Sequence, residues 1–418
     1  MIRIIDISDA YDLLKRRSVR LSQAEKVVGP IIDAVRKRGD AALYQYARKL
    51  DGLGKQSLFV TTEMETSYDG LSKEFLAALK TASANIRRFA NEQLPRQRIF
   101  QAGPGMRLGQ LVRPLHSMAA YVPAGRYPLP STLLMTVIPA QVAGVPFISV
   151  ACPRPSPEIL GTARVLGLHE TTARFFRMGG AHAIAAFAFG TASVPRVERI
   201  AGPGNIYTTA AKKLLAGEVG IDFVAGPTEI LIIAADGADP RHVASDMLAQ
   251  AEHDTDAAAI VLTRSRRLAD RVAKQLGEQL KTLPTAATAR AAIAKNSAIV
   301  MVRSFEEAVA FSNQYAPEHL SIPDNSLLAE IQNAGSVFVG PFSTEAAGDY
   351  ASGPNHVLPT AGVARLRGGL SAADFVKVIS VQELNHAALQ RLAPAITTLA
   401  RAEGLEAHAR SVEVRTRG

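Results

Sequence analysis

The chain of 418 residues contains a single cysteine, Cys152, and no tryptophan. One thiol cannot form a disulfide within the chain or supply the several thiolates of a sulfur-rich metal site. Any metal ion bound by this sequence must therefore be held by histidine, carboxylate or amide groups. Aromatic residues make up only 6% of the chain. No basic stripe is interleaved with them, as proteins that bind single-stranded nucleic acid use.

A long uninterrupted apolar segment is also missing. The most apolar stretch, 133–152, is broken by Pro139, Gly144 and Pro146, which indicates a helix followed by a buried strand rather than a membrane helix. The first residues, Met-Ile-Arg-Ile-Ile-Asp, lack the extended apolar core of a signal peptide. These features predict a cytoplasmic protein that has no membrane partner.

Positive charge is in excess but dispersed. The net charge is +9, and the basic clusters are short, such as Lys15-Arg16-Arg17 and Arg264-Ser265-Arg266-Arg267. Nucleic-acid-binding proteins usually concentrate lysine and arginine on one face or along one helix. The dispersed charge therefore argues against a nucleic-acid partner.

Strand-like apolar segments alternate with amphipathic helices along most of the chain. The length is enough for two or more cores, since single cores stop growing at roughly 250–300 residues. Helices are predicted over 22–50 and 71–97, strand–helix units over 120–235 and 236–345, and a mostly helical C-terminus. Continuous apolar strands alternating with helices predict an α/β fold with parallel sheets covered on both faces.

The segment 246–254, Asp-Met-Leu-Ala-Gln-Ala-Glu-His-Asp, is the most informative part of the chain. Helical spacing puts Gln250 and His253 on one face, where an amide oxygen and an imidazole nitrogen project together. The pair can form half of a metal site with nitrogen and oxygen ligands, although a helix surface also carries such a pair by chance. Candidates for the other ligands lie late in the chain: Asp349, His356 and His408.

Three loops concentrate further polar groups. Gly202-Pro-Gly-Asn205 lies between a predicted strand and helix, where a backbone can approach a phosphate, or it forms a plain tight turn. Ala316-Pro-Glu318-His319 sets two proton-transfer groups side by side, or a surface acid next to a partly buried histidine. The glycine-rich segment 348–356 can bring the Asp349 carboxylate to a metal or ligand, or it is an exposed connector.

Taken together, these segments resemble the signature segments of the histidinol dehydrogenase family in their order and spacing. The resemblance covers nearly the whole chain from about residue 20. The segments that carry it are Gln250-Ala-Glu-His253-Asp, Ala316-Pro-Glu318-His319-Leu, 348–360, Gly202-Pro-Gly-Asn205, Ala225-Gly-Pro-Thr-Glu229, and Glu403 with His408 five residues later.

The resemblance implies an NAD-dependent enzyme that oxidises L-histidinol to L-histidine through L-histidinal, with one Zn²⁺ per subunit. It implies proton transfer by Glu318 and His319. It implies these zinc ligands: Gln250, His253, Asp349 and His408. It implies substrate contacts by the four ligands and by Thr228, His319, His356 and Glu403, and cofactor contacts by Tyr121, His182 and Asn205. It further implies a homodimer in which His408 reaches the other subunit's site.

The chemistry of these residue types agrees with that function. Imidazole, carboxylate and amide ligands leave positions on zinc for the nitrogens of histidinol. His319 is expected to remove the alcohol proton as hydride leaves, and Glu318 to activate the water that hydrates the aldehyde.

The expected fold has two Rossmann-like parallel-sheet domains, a small N-terminal arm and a helical dimerisation tail. The arm is 1–20. The first α/β domain is discontinuous, 21–119 with 229–370, and carries the metal and catalytic residues. The second α/β domain, 120–228, lies on the NAD side. The tail, 371–418, reaches the partner subunit.

Two positions depart from the family pattern. His182 stands where the family usually has glutamine, and Arg126 lies in a loop, 124–131, that usually has a second glycine and no arginine. Relatives that oxidise another small polar alcohol, such as a sulfopropanediol, therefore stay open as an alternative. A non-catalytic metal- or nucleotide-binding regulator is a further alternative, against which the presence of both Glu318 and His319 argues.

Overall fold

A computed structural model of the chain describes residues 2–15, 21–124, 127–168 and 173–417. Arg126, one of the two departures from the family pattern, therefore lies outside the described residues. Within them the chain forms three β-sheets, here called sheet 1, sheet 2 and sheet 3, with helices packed on both faces of the first two. This confirms the predicted α/β class with parallel sheets and a helical C-terminus.

Sheet 1 has six strands, all parallel to their neighbours. In spatial order they are Arg3–Asp6, Ala298–Met301, Ala258–Thr263, Glu229–Ile233, His319–Ile322 and Ser336–Val339. Its inner strands are mostly apolar, because both of their faces are covered. One face packs on the helices Pro240–Ala251, Arg266–Gln279 and Ala286–Asn296, and the other on Phe305–Tyr315.

Sheet 2 also has six strands, and only the short edge strand Phe59–Val60 is antiparallel. The order is Phe59–Val60, Ala173–Phe176, Phe147–Ala151, Ser117–Tyr121, Arg199–Ala201 and Gly220–Ile221. The helices on one face are Glu63–Asp69, Lys73–Glu92, Pro130–Ala143 and Pro157–Val165. Those on the other are Leu21–Arg38, Asp40–Tyr46, Gly180–Phe189 and Ile206–Leu215.

Sheet 3 is a small antiparallel sheet that the sequence analysis did not predict. Its strands are Val376–Leu384, Met106–Pro114 and Arg98–Gly103. The helices His386–Ala402 and Glu406–Thr416 follow it and pack on each other. The segment 371–418 is mostly helical, as predicted, but nine of its residues form a strand that pairs with Met106–Pro114, far earlier in the chain.

The domain boundaries also need correction. Leu21–Arg38 and Lys73–Glu92 pack on opposite faces of sheet 2, so these helices belong with 120–228 and not with 229–370. The strands between Lys73–Glu92 and residue 115 lie in sheet 3. The apolar stripe of a helix predicts which of its faces is buried, but not which sheet covers that face. The expected arm, 1–20, is likewise partly an edge strand, because Arg3–Asp6 pairs with Ala298–Met301 in sheet 1.

Across the described residues, every helix is too short or too polar to cross a lipid bilayer. The two large sheets meet at a cleft that they approach from opposite ends. The carboxyl ends of sheet 2, at Pro123 and Pro203, and the amino ends of sheet 1, at Thr228 and Glu318, line this cleft.

Candidate active site

The cleft between the sheets has a volume of about 1210 Å³. Among the residues that line it are several of the predicted site residues: Asn205, Thr228, His253, Glu318, His319, Asp349 and His356. A cleft of this size and polar lining can enclose a small polar substrate together with part of a larger ligand.

Gln250 reaches the cleft wall from the last turn of the helix Pro240–Ala251. Asp239 caps the start of this helix by accepting a hydrogen bond from the backbone N–H of Arg241, and Pro240 occupies its first turn. The helix follows the carboxyl end of the strand Glu229–Ile233 and runs back along it. Its C-terminus therefore lies beside the amino end of that strand, where Thr228 is found.

The side chain of Gln250 is fully buried, and its Nε2 donates a hydrogen bond of 2.8 Å to Oγ1 of Thr228. Within the part of the chain that the structure describes, Oε1 of Gln250 has no hydrogen-bond partner. A buried carbonyl oxygen without a partner is unfavourable unless something absent from the structure binds it.

His253 and Asp349 are two further donor groups, and both line the cleft. Nε2 of His253 lies 3.9 Å from Oδ2 of Asp349, and Oδ1 of Asp349 lies 3.6 Å from Nε2 of His319. Among the described histidines, cysteines and acids, His253, Asp349 and Glu345 form a group whose ligand atoms lie within 4.8 Å of one another. Such a group of oxygen and nitrogen donors suits a divalent cation.

Glu318 lies in the short connection between the helix Phe305–Tyr315 and the strand His319–Ile322 of sheet 1. Ala316 ends the helix in a left-handed conformation with φ 53°, and Pro317 prevents its continuation. Oε2 of Glu318 accepts hydrogen bonds from Oγ1 of Thr228 at 2.5 Å and from the backbone N–H of Glu229 at 2.9 Å. Burial raises the pKa of Glu318 to about 7, against the opposing effects of His319 and of these hydrogen bonds.

His319 is buried among carboxylates. Its Nδ1 is 3.2 Å from the carbonyl oxygen of Glu229, which can only accept, so Nδ1 is the nitrogen that carries the proton in the neutral ring. Burial lowers the pKa of His319, but the negative charges of Glu345, Glu318 and Asp349 outweigh it and raise the pKa to about 10. A divalent cation in this cluster would oppose that rise, because it offsets the same negative charges.

Glu345 is the site residue that the sequence analysis missed. It is 2% exposed, its Oε1 lies 3.7 Å from Nδ1 of His319, and its two oxygens have no hydrogen-bond partner among the described residues. Burial, together with the charges of Asp349, Glu318 and Asp246, raises its pKa to about 8. The available signal was its i, i+4 spacing to Asp349 in the helix Glu345–Tyr350, which puts both carboxyls on one helix face.

His356 lines the cleft next to this cluster. Its Nδ1 lies 2.8 Å from the backbone oxygen of Asp349, and its Nε2 lies 3.5 Å from Oγ1 of Thr132. Burial lowers the pKa of His356. The neutral ring therefore presents Nε2 toward the helix Pro130–Ala143.

The predicted cofactor residues lie near the carboxyl end of sheet 2, but not all at the cleft. The side chain of Asn205 lines the cleft and caps the helix Ile206–Leu215. Tyr121 and His182 are 3% and 0% exposed. The hydroxyl of Tyr121 accepts a hydrogen bond from the backbone N–H of Gly180, and Nε2 of His182 lies 2.7 Å from Oδ2 of Asp51.

In this arrangement the chain's own atoms enclose the side chains of Tyr121 and His182. They lie behind the Gly179-Gly180 turn. The Gly202-Pro-Gly turn does reach the cleft. The backbone conformation and close packing at its first position require glycine. Gly202 has φ +128°, and a Cβ there would lie 2.1 Å from the backbone oxygen of Tyr121.

Glu403 and His408 lie far from the others in a single chain. Both are exposed at the C-terminal helix pair, and neither lines the cleft. The structure thus brings His253 and Asp349 together with His319, and it leaves His408 outside this group. Gln250 is connected to Glu318 through the Thr228 hydroxyl.

The model of one known family, histidinol dehydrogenase, matches residues 14–416 of the chain. The chain belongs to the histidinol dehydrogenase family. A histidinol dehydrogenase of Thermus thermophilus is 48% identical over 395 residues, which cover 94% of each protein. One from Geobacter sulfurreducens is 44% identical over 99% of each protein. The crystal structure of histidinol dehydrogenase from Elizabethkingia anophelis superposes with a TM-score of 0.93 at 36% identity, covering 100% of this chain and 98% of that one.

As a member of the histidinol dehydrogenase family, the chain is an oxidoreductase that acts on an alcohol or aldehyde. The alternative of a different small polar alcohol is not favoured, since the matched relatives carry the histidinol dehydrogenase name. The geometry also suits the metal that the family resemblance implies. The unpartnered oxygen of Gln250 and the carboxylates around His319 are groups that a cation would stabilise.

Proposed function

We propose that the chain is an NAD-dependent, zinc-containing enzyme that oxidises L-histidinol to L-histidine through L-histidinal in two hydride transfers. The observation that carries this proposal is a cluster of oxygen and nitrogen donors beside the Glu318–His319 pair at one cleft wall. The donors in this cluster are His253, Glu345 and Asp349. Its family membership makes histidinol the substrate to test first.

The proposed metal ligands in one chain are Gln250, His253 and Asp349. Zinc bound there would supply positive charge and open coordination positions that orient the amino and imidazole nitrogens of the substrate. Gln250 contributes its unpartnered Oε1, and His253 has a partly exposed ring that can turn toward Asp349.

His319 is the proposed acceptor of the alcohol proton. Because Nδ1 is directed at the Glu229 carbonyl, Nε2 is the atom that takes the proton from the substrate hydroxyl. NAD would accept the hydride from the same carbon. For the second oxidation, Glu318 takes a proton from the water that adds to the aldehyde, and burial with a pKa of about 7 suits it to that exchange.

The substrate and cofactor are proposed to enter from opposite sides of the cleft. Thr228 and His356 lie on the substrate side with the proposed ligands and Glu318. Asn205 and the Gly202-Pro-Gly turn lie on the side proposed for NAD, where a backbone at a helix N-terminus can approach a phosphate. In this proposal Tyr121 and His182 support the neighbouring Gly179-Gly180 turn from behind.

A homodimer with a shared active site is proposed to supply the missing groups. Apolar side chains are exposed on sheet 3 and the C-terminal helices, including Val378, Leu399 and Val414, and Phe342 is 89% exposed. Large exposed apolar side chains favour burial against another chain. His408 and Glu403 of a second copy would then complete the zinc site and the substrate contacts. We also propose that the enzyme acts in the cytoplasm, where histidine is synthesised.

The deciding assay measures NADH and product together. Purified protein with zinc and NAD is expected to convert L-histidinol into L-histidine with about two NADH per molecule, since the conversion removes four electrons. Chelator treatment should abolish turnover, and zinc should restore it. No NADH from histidinol, with turnover of a sulfonated diol in the same preparation, would contradict the proposal.

A further inference from the structure

The hydroxyl of Thr228 lies between a proposed metal ligand and a proposed proton acceptor. Its Oγ1 is 2.8 Å from Nε2 of Gln250 and 2.5 Å from Oε2 of Glu318. Thr228 is 22 residues from Gln250 and 90 residues from Glu318 in the sequence, so the three side chains come from separate parts of the chain. They form one continuous line of hydrogen bonds at the cleft wall.

The direction of these hydrogen bonds follows from a fourth group. The backbone N–H of Glu229 also donates to Oε2 of Glu318, at 2.9 Å, so this oxygen acts as an acceptor. Glu318 must be ionised to accept a proton, as proposed above, and the Thr228 hydroxyl then gives its only proton to this carboxylate. Its remaining lone pairs can only accept, so the group of Gln250 that faces Thr228 must be the amide NH₂.

This direction leaves the Gln250 oxygen pointing away from Thr228, buried and without a partner among the described residues. A flipped amide would bring its oxygen against the lone pairs of Thr228 and put the NH₂ group where the unpartnered oxygen now lies. An NH₂ group cannot bind a cation, so only one of the two orientations makes Gln250 a ligand.

We propose that Thr228 is a positioning residue that holds the Gln250 amide with its oxygen directed at the metal, and links this ligand to Glu318. The inference rests on the proposed zinc site and adds to it the group that orients one ligand. Partners that orient metal ligands in this way typically contribute about 10- to 100-fold to metal affinity.

The position is suited to a clean substitution. The backbone oxygen of Thr228 accepts a hydrogen bond of 3.1 Å from the N–H of Ala258, so sheet 1 holds the residue without help from its hydroxyl. Thr228→Val keeps the side-chain shape and removes the hydroxyl. Thr228→Ser keeps the hydroxyl and removes a methyl group, and is the matched control.

The test is a zinc-binding measurement that needs no turnover. The metal-free full-length protein is titrated with zinc in competition with a chromogenic chelator. Thr228→Val should bind zinc about 10- to 100-fold more weakly than wild type, and Thr228→Ser within about threefold of it. Equal affinity of Thr228→Val and wild type would overturn the inference. Failure of the wild type itself to bind zinc would instead reject the proposed zinc site.

Repeating the Thr228→Val measurement in a Gln250→Glu variant distinguishes a loss of Gln250 orientation from a general loss of structure. In Gln250→Glu the ligand has two equivalent oxygens and needs no orientation, so adding Thr228→Val should change zinc affinity by less than about threefold. The same loss in both backgrounds would show that Thr228 acts by another route. If Thr228→Val does not fold, which thermal unfolding of the metal-free protein reports, Thr228→Ala provides the same comparison.

Discussion

Nε2 of His319 lies 3.6 Å from Oδ1 of Asp349, although the two residues come from a strand and a helix of sheet 1's domain that are separate in sequence. The proposed proton acceptor thus lies directly beside a proposed metal ligand. The imidazole and the cation site share one patch of negative charge, to which Glu345 also contributes. Changes to either group should therefore be measured on both turnover and metal content.

His319→Asn should slow both oxidation steps by about 10²- to 10⁴-fold, because each requires a proton acceptor as hydride leaves. Single-turnover measurements starting from histidinol and from histidinal would check this. Zinc content should stay near that of wild type, since His319 is not a proposed ligand. A loss confined to one step would contradict the assignment.

Glu318→Gln should mainly slow the oxidation of supplied histidinal. The amide cannot take a proton from water, but its oxygen can still accept the hydrogen bonds of Thr228 and the Glu229 N–H. We expect a loss of at least about 10²-fold in the aldehyde step and a smaller loss in the alcohol step. Equal losses in both would indicate that Glu318 and His319 act as one unit.

A mixed dimer tests the shared site. Chains with His408→Ala and chains with His253→Ala should each be inactive, since each lacks one proposed zinc ligand at every site. In the heterodimer one site carries both changes and the other neither, so it should recover about half of the wild-type activity if the sites are independent. Proven heterodimers without recovery would place His408 in its own chain's site or outside the site.

Lys212→Met should destabilise the turn on the proposed NAD side. Nζ of Lys212 lies 2.7 Å from Oδ1 of Asp222 in a buried pair, and Asp222 also accepts the N–H of Gly202. Leaving Asp222 unpaired should lower the free energy of unfolding by about 3–5 kcal/mol in urea denaturation. Adding Asp222→Asn should restore part of this loss, because no buried charge then lacks a partner. A double variant that is less stable than the single one would argue against the pair.

Asp246→Asn tests a pH effect in the metal-free protein. Burial raises the pKa of Asp246 from its ordinary value of 3.8 to about 6, with His242 opposing. Between these values the folded protein keeps a proton that the unfolded chain has lost, so this carboxyl makes stability fall as the pH rises from about 4 to about 6. The asparagine variant should unfold at a higher temperature than wild type at pH 7, by about 1–2 kcal/mol in stability, and lose that advantage near pH 4. A difference in stability between the variant and wild type that stays the same from pH 4 to pH 7 would contradict the raised pKa of Asp246.

Local sequence patterns indicated many of the helices and strands and several of the candidate ligand and proton-transfer residues. The start of the helix Pro240–Ala251 depends on interactions within a few residues, so a capping aspartate followed by proline is enough to indicate it. The Gln250–His253 spacing and the Glu318-His319 pair indicated the ligand and proton-transfer groups for the same reason. The family resemblance added His408, which no local pattern joins to the others.

The sequence by itself thus determined the α/β class, the helix that carries Gln250, and the types of group available to a metal. Only the tertiary structure decided which sheet covers Leu21–Arg38, that sheet 3 exists, and that Glu345 faces His319. It alone also set Thr228 between Gln250 and Glu318, and enclosed Tyr121 and His182 behind the cleft. The physical reason is that residue spacing specifies faces of helices and strands, whereas the pairing of faces far apart in sequence depends on how the whole chain packs.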